Sequence, residues 1–345
     1  MEAMRKNCRT EYQPHQNCSV DEAMIAFRGR LAFRQYNPAK PTKYGIKVWV
    51  RADPTNGYLN DYQIYTGKVE GGPEEGLSTR VVKDMVESIT GRNHIVNMDN
   101  FFSSPTLFGE LLSADTYARG TVRCNRKQFP KDSLHKSCVK EQGDTKVLQK
   151  GPLVAVAWKD KKTVHFLTSA DDATAPPVYV ERKRRDGTRR NVPCPAVVRE
   201  YNTFMNGVDR ADQIRTEYPT YRNSKKWWHY LFWFVFDLGI ANAFICMKES
   251  VAHQLKTRTG REKFITQLNF RKELAKSLVG GVRISRKRKL SALDPRGDRE
   301  AHLPVTTTKG RCRECSKTGL RKESRVKCQG CGYNLCIDCF VPHHR

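Results

Sequence analysis

From Tyr44 the chain alternates: Ile46, Val48 and Val50 take every second place, with Lys47, Trp49 and Arg51 between them. A Pro54-Thr55-Asn56-Gly57 turn then leads to a second run over residues 58–65. Period-two alternation interrupted by turn residues predicts a β-hairpin whose first strand ends at Asp53. Residues 78–89 change to helical spacing, with Val82, Met85, Val86 and Ile89 on one face, Ser78 as cap and Gly91 as stop. A short strand over 94–98 runs into Asp99, Ser104-Pro105 opens a further helix (PTLFGELL), and 117–123 reads as another strand. After a polar, Lys-rich stretch at 124–150, LVAVAWKDKKTVHFLTSA predicts two strands joined across 159–162. Ahead of these elements, SVDEAMIAFRGRLAF is expected to form a short helix from Val20, capped by Ser19 and broken at 28–30. Pro195 opens one long helical region, AVVREYNTFMNGVDRADQIRTEY.

The next segment, WWHYLFWFVFDLGIANAFICM, is long and apolar enough to be weighed as a bilayer span. His229, Asp237 and Asn242 inside it are each costly at membrane depth, so it reads as a buried central helix, with no membrane partner. Charge then changes the picture: 62 Lys+Arg stand against 36 Asp+Glu, a formal net charge of +26. Such an excess calls for a polyanionic partner, with double-stranded DNA the first candidate.

Against that background the acidic positions stand out. The predicted order sets Asp53 and Asp99 at strand ends, and Asp209 and Asp212 three apart on one helix face. Singly, Asp53 could initiate a turn and Asp99 could cap the next segment. Jointly, carboxylates gathered at one sheet edge repel unless divalent cations lie between them, and an oxygen-only set suits Mg²⁺ or Mn²⁺. Two such ions activate an attacking water or 3′-hydroxyl and stabilise the leaving oxygen of a phosphodiester. Asp209 is the expected direct ligand, while Asp212, one turn on, binds metal, orients Asp209 or holds an arginine.

The blocks SVDEAMIAFRGRLAFRQYNPAKPTKYGIKVWV, MDNFFSSP and NGVDRADQ together resemble the piggyBac family of DNA transposases, and the resemblance covers most of the chain. It implies a mixed α/β fold: an RNase H-like catalytic core with an inserted β-rich subdomain, plus a small C-terminal zinc-binding module. It also implies nuclear cut-and-paste transposition with a hairpin intermediate and TTAA targets, catalysed by Asp53, Asp99 and Asp209 with Asp212 as the fourth acidic residue. Family members usually carry a longer region ahead of the block at Val20, so the resemblance implies a chain lacking most of it. The other reading is a domesticated, non-catalytic DNA or chromatin binder. The expected division is an opening segment (1–43), the first part of the core (44–124), a β-rich insertion (125–195), the helical second part (196–275), a basic linker (276–308) and a cysteine-rich domain (309–345). A homodimer is a further expectation.

Six of the twelve cysteines fall in the last 34 residues as Cys312-x2-Cys315, Cys328-x2-Cys331 and Cys336-x2-Cys339, followed by His343 and His344. Three such pairs exceed one tetrahedral site and predict Zn²⁺, either as a cross-braced two-ion module or as a one-ion ribbon with spare ligands. Adjacent residues of an extended chain point apart, so His343 and His344 are not expected to share an ion, and the eighth ligand stays open. Of the basic clusters, ERKRRDGTRR (Arg182, Lys183, Arg184 and Arg185 among them) is either a DNA contact or a solvated hairpin. Lys225 and Lys226, beside two tryptophans, either reach DNA or cap the apolar helix, and SRKRKLS at 285–291 reads as a nuclear-localisation signal.

Overall fold

The computed structural model describes the chain except for residues 39, 68–71, 73, 184–185, 251–254, 257–261, 264, 281–301 and 345, and except for the side chains of 255–256 and 262–263. It divides into two units, 1–275 and 276–345.

The first unit is built on a nine-stranded sheet. Its strands are β1 (Asn17–Ala26), β2 (Gln35–Tyr36), β3 (Tyr44–Ala52), β4 (Leu59–Ile64), β5 (Ile95–Met98), β6 (Tyr117–Thr121), β7 (Thr145–Lys150), β8 (Leu153–Lys159) and β9 (Thr163–Thr168). The order across the sheet is β2-β3-β1-β5-β6-β9-β8-β7, with β4 also paired to β3. β1 lies antiparallel to β3 (Asp21 opposite Val50) and parallel to β5 (Val20 opposite Met98). β6 continues parallel to β5, and β9 returns antiparallel to β6.

The stretch expected to be a short helix from Val20 is therefore the central strand β1. The reason is burial on both faces: Cys18 and Val20 join one core, Ala23 and Ile25 the other. A strand covered on both sides loses the polar/apolar alternation that marks a half-exposed one. The residues assigned to an opening segment thus supply the middle of the sheet.

Helices α1 (Glu2–Thr10), α2 (Leu77–Val86), α3 (Pro105–Leu112), α4 (Ala196–Phe204), α5 (Gly207–Thr216), α6 (Trp227–Glu249) and α7 (Gln267–Leu278) complete the order. On one face Val81, Val82, Met85 and Val86 of α2 and Leu107, Phe108 and Leu111 of α3 pack with Cys18, Val20 and Trp49. On the other, Cys8 of α1, Val208 and Ala211 of α5, and Leu231, Phe234 and Leu238 of α6 pack with Ile46, Val48 and Val50. Ser104 starts α3 by accepting a hydrogen bond from Leu107 N at 3.2 Å, with Pro105 at the first helical position.

The long helical region after Pro195 is two helices, divided at 205–206. Gly207 opens the second of them against the sheet. A Cβ there would collide with Ser19 Oγ and lie 3.0 Å from Pro54 Cα, so only glycine lets α5 rest on β1 and on the β3–β4 turn. Beyond β9, Val178–Lys183 (β10) and Arg189–Cys194 (β11) form a separate hairpin, and Leu255–Lys256 (β12) pairs with Glu262–Lys263 (β13). β7, β8 and β9, from the stretch assigned to an insertion, extend the main sheet directly.

The apolar helix α6 is buried on one side only. Leu231, Phe234, Leu238, Ala241 and Ile245 face the sheet, while Trp228, Phe232 and Phe236 are exposed. Among the described residues it is the one helix long and apolar enough to cross a membrane. Its internal polar groups are used inside the protein. Asn242 donates to Leu59 O (2.9 Å) and accepts from Leu59 N (3.0 Å), and Asp237 accepts from Thr220 N and Oγ1. Phe234 is 2% and Phe232 51% exposed. Truncating Phe234 to alanine should therefore cost about 3–5 kcal/mol in urea unfolding, while the same change at Phe232 should stay within about 0.5 kcal/mol.

In the second unit Pro304–Arg311 (β14) pairs antiparallel with Glu323–Cys328 (β15), flanked by α8 (Arg313–Lys317) and α9 (Ile337–His343).

Candidate functional site

Asp99 leaves the end of β5, where its Oδ1 accepts the Phe101 N–H at 2.8 Å and its carbonyl accepts from Ser103. Because Val20 lies opposite Met98 in parallel register, the residue beside Asp99 on the neighbouring strand is Asp21. Both follow apolar residues of the same core, so both carboxylates belong to the opposite face, the one that α5 covers. α5 carries Asp209 in its first turn, two residues beyond the point where Gly207 meets Ser19.

Lys40 lies among these acids. Its Nζ is 3.1 Å from Asp21 Oδ2, and the charges of Asp21, Glu22 and Asp209 together raise its pKa against the opposing effect of burial. Burial pushes the Asp21 carboxyl up to about 6, with Lys40 pulling it down and Glu22 pushing it up. Asp99 is raised too, first by burial and then by Asp21, against the Phe101 N–H that lowers it. Lys47 sits on the other side of β3, 3.9 Å over the Trp49 ring, and is lowered by burial despite nearby Glu22, Asp21 and Asp99. Tyr201 of α4 hydrogen-bonds Thr121 within electrostatic reach of Asp99 and Asp21, and burial pushes its hydroxyl up to about 12.

The structure does not bring Asp53 to this edge. It lies three residues past Val50, the residue opposite Asp21, which is roughly 10 Å along the strand. Its buried carboxylate is spent locally: Oδ1 accepts the Thr55 N–H at 2.9 Å, and Oδ2 lies 2.8 Å from both His15 N and His15 Nδ1. Asp53 thus shapes the β3–β4 turn, as its place before proline allowed. Asp212 lies one turn beyond Asp209 and accepts from Arg215 at 2.9 Å, so of its three expected roles it fills that of holding an arginine. Asp21 was hidden by the helical reading of SVDEAM. The signal that could have found it is an acidic pair inside an otherwise apolar run, a costly arrangement in any buried element.

The acids flank the edge without chelating: among the described residues, the two groups whose ligand atoms all lie within 4.8 Å of one another are both in the second unit. One is Cys312, Cys315, Cys336 and Cys339; the other is His302, Cys328, Cys331 and His344. They interleave along the chain, the cross-braced arrangement. His302, ten residues ahead of the first cysteine, was missed. Pro304 pairs with Cys328, which brings His302 Nδ1 to 3.3 Å from Cys328 Sγ. His344 Nε2 lies 3.4 Å from Cys331 Sγ, whereas His343 turns to Glu314 at 2.7 Å and is not part of either group. Burial pushes the Cys312 thiol up, but hydrogen bonds from the Cys315 and Cys336 backbone outweigh it and bring it to about 7.

Of the basic residues singled out, Arg182 pairs with Asp160 at 3.1 Å, Lys183 is exposed on β10, and Arg184 and Arg185 lie outside the described residues, as does SRKRKLS. Lys225 and Lys226 are exposed at the start of α6, where Ser224 Oγ accepts the Lys226 N–H at 3.1 Å.

A family model described as Transposase IS4 matches residues 1–244. PiggyBac transposable element-derived protein 3 from Homo sapiens is 30% identical over 346 residues, covering 94% of this chain and 55% of that protein. The chain belongs to the piggyBac transposase family. PiggyBac transposable element-derived protein 5, also human, is 25% identical over 281 residues, covering 76% of this chain and 52% of the relative. The chain spans about half the length of these curated relatives. A cryo-EM structure of a piggyBac transposase synaptic complex with hairpin DNA superposes with a TM-score of 0.67 at 25% identity, covering 96% of this chain and 70% of that one. The mixed α/β architecture is therefore that of a piggyBac transposase, and the family implies dependence on divalent metal.

The raised Asp21 has a consequence for stability. Its folded pKa, about 6, lies above the ordinary 3.8, so the fold favours the protonated form. That contribution is complete below about pH 4 and is lost as pH rises through about 6. Replacing Asp21 with asparagine should therefore stabilise the metal-free protein by about 1–3 kcal/mol at pH 7.5 and change little at pH 4, measured by urea unfolding in EDTA.

Proposed function

We propose that the chain is a metal-dependent DNA strand-cleaving and strand-joining transposase core, with Asp21, Asp99 and Asp209 as its acidic triad. The observation that carries this reading is the Val20–Met98 register, which sets Asp21 beside Asp99 on the face where α5 presents Asp209. An RNase H-like core is supported by the order β4-β3-β1-β5-β6, in which three antiparallel strands are followed by two parallel to β1. The donor set fits Mg²⁺ or Mn²⁺: all oxygen, crowded enough that burial and mutual repulsion raise two carboxyls, and in need of positive charge that Lys40 only partly supplies. Such ions, when bound, lower the pKa of an attacking water or 3′-hydroxyl and neutralise the leaving oxygen.

The chain's own residues do the positioning. Phe101 N–H orients the Asp99 carboxylate, Gly207 sets the height of Asp209 over the sheet, and Arg215 keeps Asp212 turned to itself. Lys40 is placed to pass from Asp21 to a DNA phosphate. Insertion at TTAA and a nuclear address belong to the same reading. In Mg²⁺-dependent nicking of a plasmid carrying the element's terminal repeats, asparagine at 21, 99 or 209 should reduce the rate at least about 100-fold. Asparagine at 53 should leave nicking within a few-fold in protein that still folds by circular dichroism. Full nicking by the Asp21 variant would sink the assignment, and a wild-type chain that binds the plasmid but never nicks it favours a non-catalytic descendant.

The interleaved tetrads, one of four cysteines and one of two cysteines and two histidines, have the soft, tetrahedral donor sets that suit structural Zn²⁺. Native mass spectrometry should find two zinc ions per chain, about one after His302→Ala, and two after His343→Ala. Equal stoichiometry in both variants would return the eighth ligand to question.

A further inference from the structure

On the same edge of the sheet as Asp99 lies a second feature that the proposed chemistry does not use. Lys131, Lys136, Lys159, Lys161 and Lys162 line a cavity of about 620 Å³. Among the described residues no aspartate or glutamate lines it and none of the five lysines is ion-paired; the nearest carboxylate in sequence, Asp160, is taken by Arg182 and Gln142. Five ammonium groups around one hollow repel each other, and that repulsion persists unless a polyanion is the intended occupant.

The cavity is held in shape. Lys131 and Lys136 ride on a loop whose middle residue, Leu134, is fully buried and whose carbonyl accepts from His165 Nε2 at 2.8 Å. Lys159, Lys161 and Lys162 belong to the tight β8–β9 turn, closed by the Asp160 N–H to Lys162 O bond at 3.2 Å. The lysine stems therefore start from fixed backbone.

Its position relates it to the acids. β6 runs parallel to β5, and β9 antiparallel to β6, so the end of β5, the end of β6 and the start of β9 all open on one edge. The Lys159–Lys162 turn is two to three strand spacings across and about three residues further out, roughly 15–20 Å from Asp99. The two sites are also physically linked. Cys124 lines the cavity, while its neighbours Arg123 and Arg126 bond Asn100 Oδ1 (2.9 Å) and Asn100 O (3.0 Å) in the loop that follows Asp99.

We propose that this lysine cavity binds the phosphate backbone of duplex DNA about five base pairs from the bond cleaved at the acidic edge, a placement that rests on the transposase reading above. At 3.4 Å per base pair the separation corresponds to about that many pairs. The contact is to phosphate, so it adds affinity and register without choosing sequence.

The test is binding by the full chain as purified, with no chelator and no added Mg²⁺ or Mn²⁺, to a fluorescent 30-base-pair duplex of arbitrary sequence, by anisotropy across a salt series. Replacing Lys159, Lys161 and Lys162 with glutamine should lower the slope of log K against log salt by about 2–3, near 0.9 for each phosphate no longer neutralised. The corresponding triple arginine variant should keep the wild-type slope. An unchanged slope in the glutamine variant overturns the proposal, and so does an equal fall in the arginine variant, which would mark a packing role. Because the assay contains no Mg²⁺ or Mn²⁺, its failure leaves the carboxylate assignment standing. Conversely, an Asp21 variant that no longer nicks but keeps the wild-type slope separates the two sites.

Discussion

The first unit depends on β1 being paired on both edges and covered on both faces. β3 pairs with Ser19–Ala26 on one side and β5 with Asn17–Val20 on the other, and its side chains feed two separate cores. A polar residue in such a strand is expensive unless something uses it. Asp21 is therefore costly by position, and the cost is visible in its raised pKa and in the lysine that partly neutralises it. Everything else at the acidic edge is arranged around that residue: β5 delivers Asp99 in register with it, and the glycine at the head of α5 lets Asp209 approach from above.

Charge is distributed with the same logic. In a chain of net charge +26, Asp21, Asp99 and Asp209 lie along one edge of the sheet, and five lysines gather further along the same edge. In the proposed reading a duplex crossing that edge would meet attraction along its flank and a cation-requiring pocket at one bond. Affinity and chemistry would then be separable, since phosphate contacts would hold any duplex and the acids would act on one position. The basic hairpin β10–β11 is less available than its composition suggested, because Arg182 is already paired with Asp160.

Much of this was legible in the sequence where one physical rule dominated. Alternation found β3 and β4, helical spacing found α2, the serine–proline pair found the start of α3, and the hairpin β8–β9 followed from its apolar runs and lysine-rich turn. Asp99 at a strand end and Asp209 in a helix's first turn fall where the sequence set them, because both positions are marked by local element boundaries. The surroundings of Asp21 and Asp53 escaped the sequence for one shared reason. Burial on both faces erases the alternation that identifies β1, and without β1 the register that sets Asp21 beside Asp99, three residues away from Asp53, does not exist. The need for glycine at the head of α5 is likewise tertiary, set by Ser19 and Pro54, which lie far away in sequence.

The second unit shows the opposite case, in which composition nearly is the structure. Its buried cluster is Cys312, Cys315, Cys328, Leu335 and Cys336, so the core consists almost wholly of ligand atoms. A unit this small cannot bury enough apolar surface to offset its chain entropy, and bonds to metal in the two tetrads would supply what a core would. That explains why cysteine spacing disclosed the module while the first histidine escaped notice. Cysteine pairs are local turns, readable at a separation of two, but His302 reaches Cys328 only through strand pairing across 26 residues. The ligand that closes such a site is the one that long-range pairing delivers, so it is also the ligand whose removal tests whether the strand pairing and the metal form together.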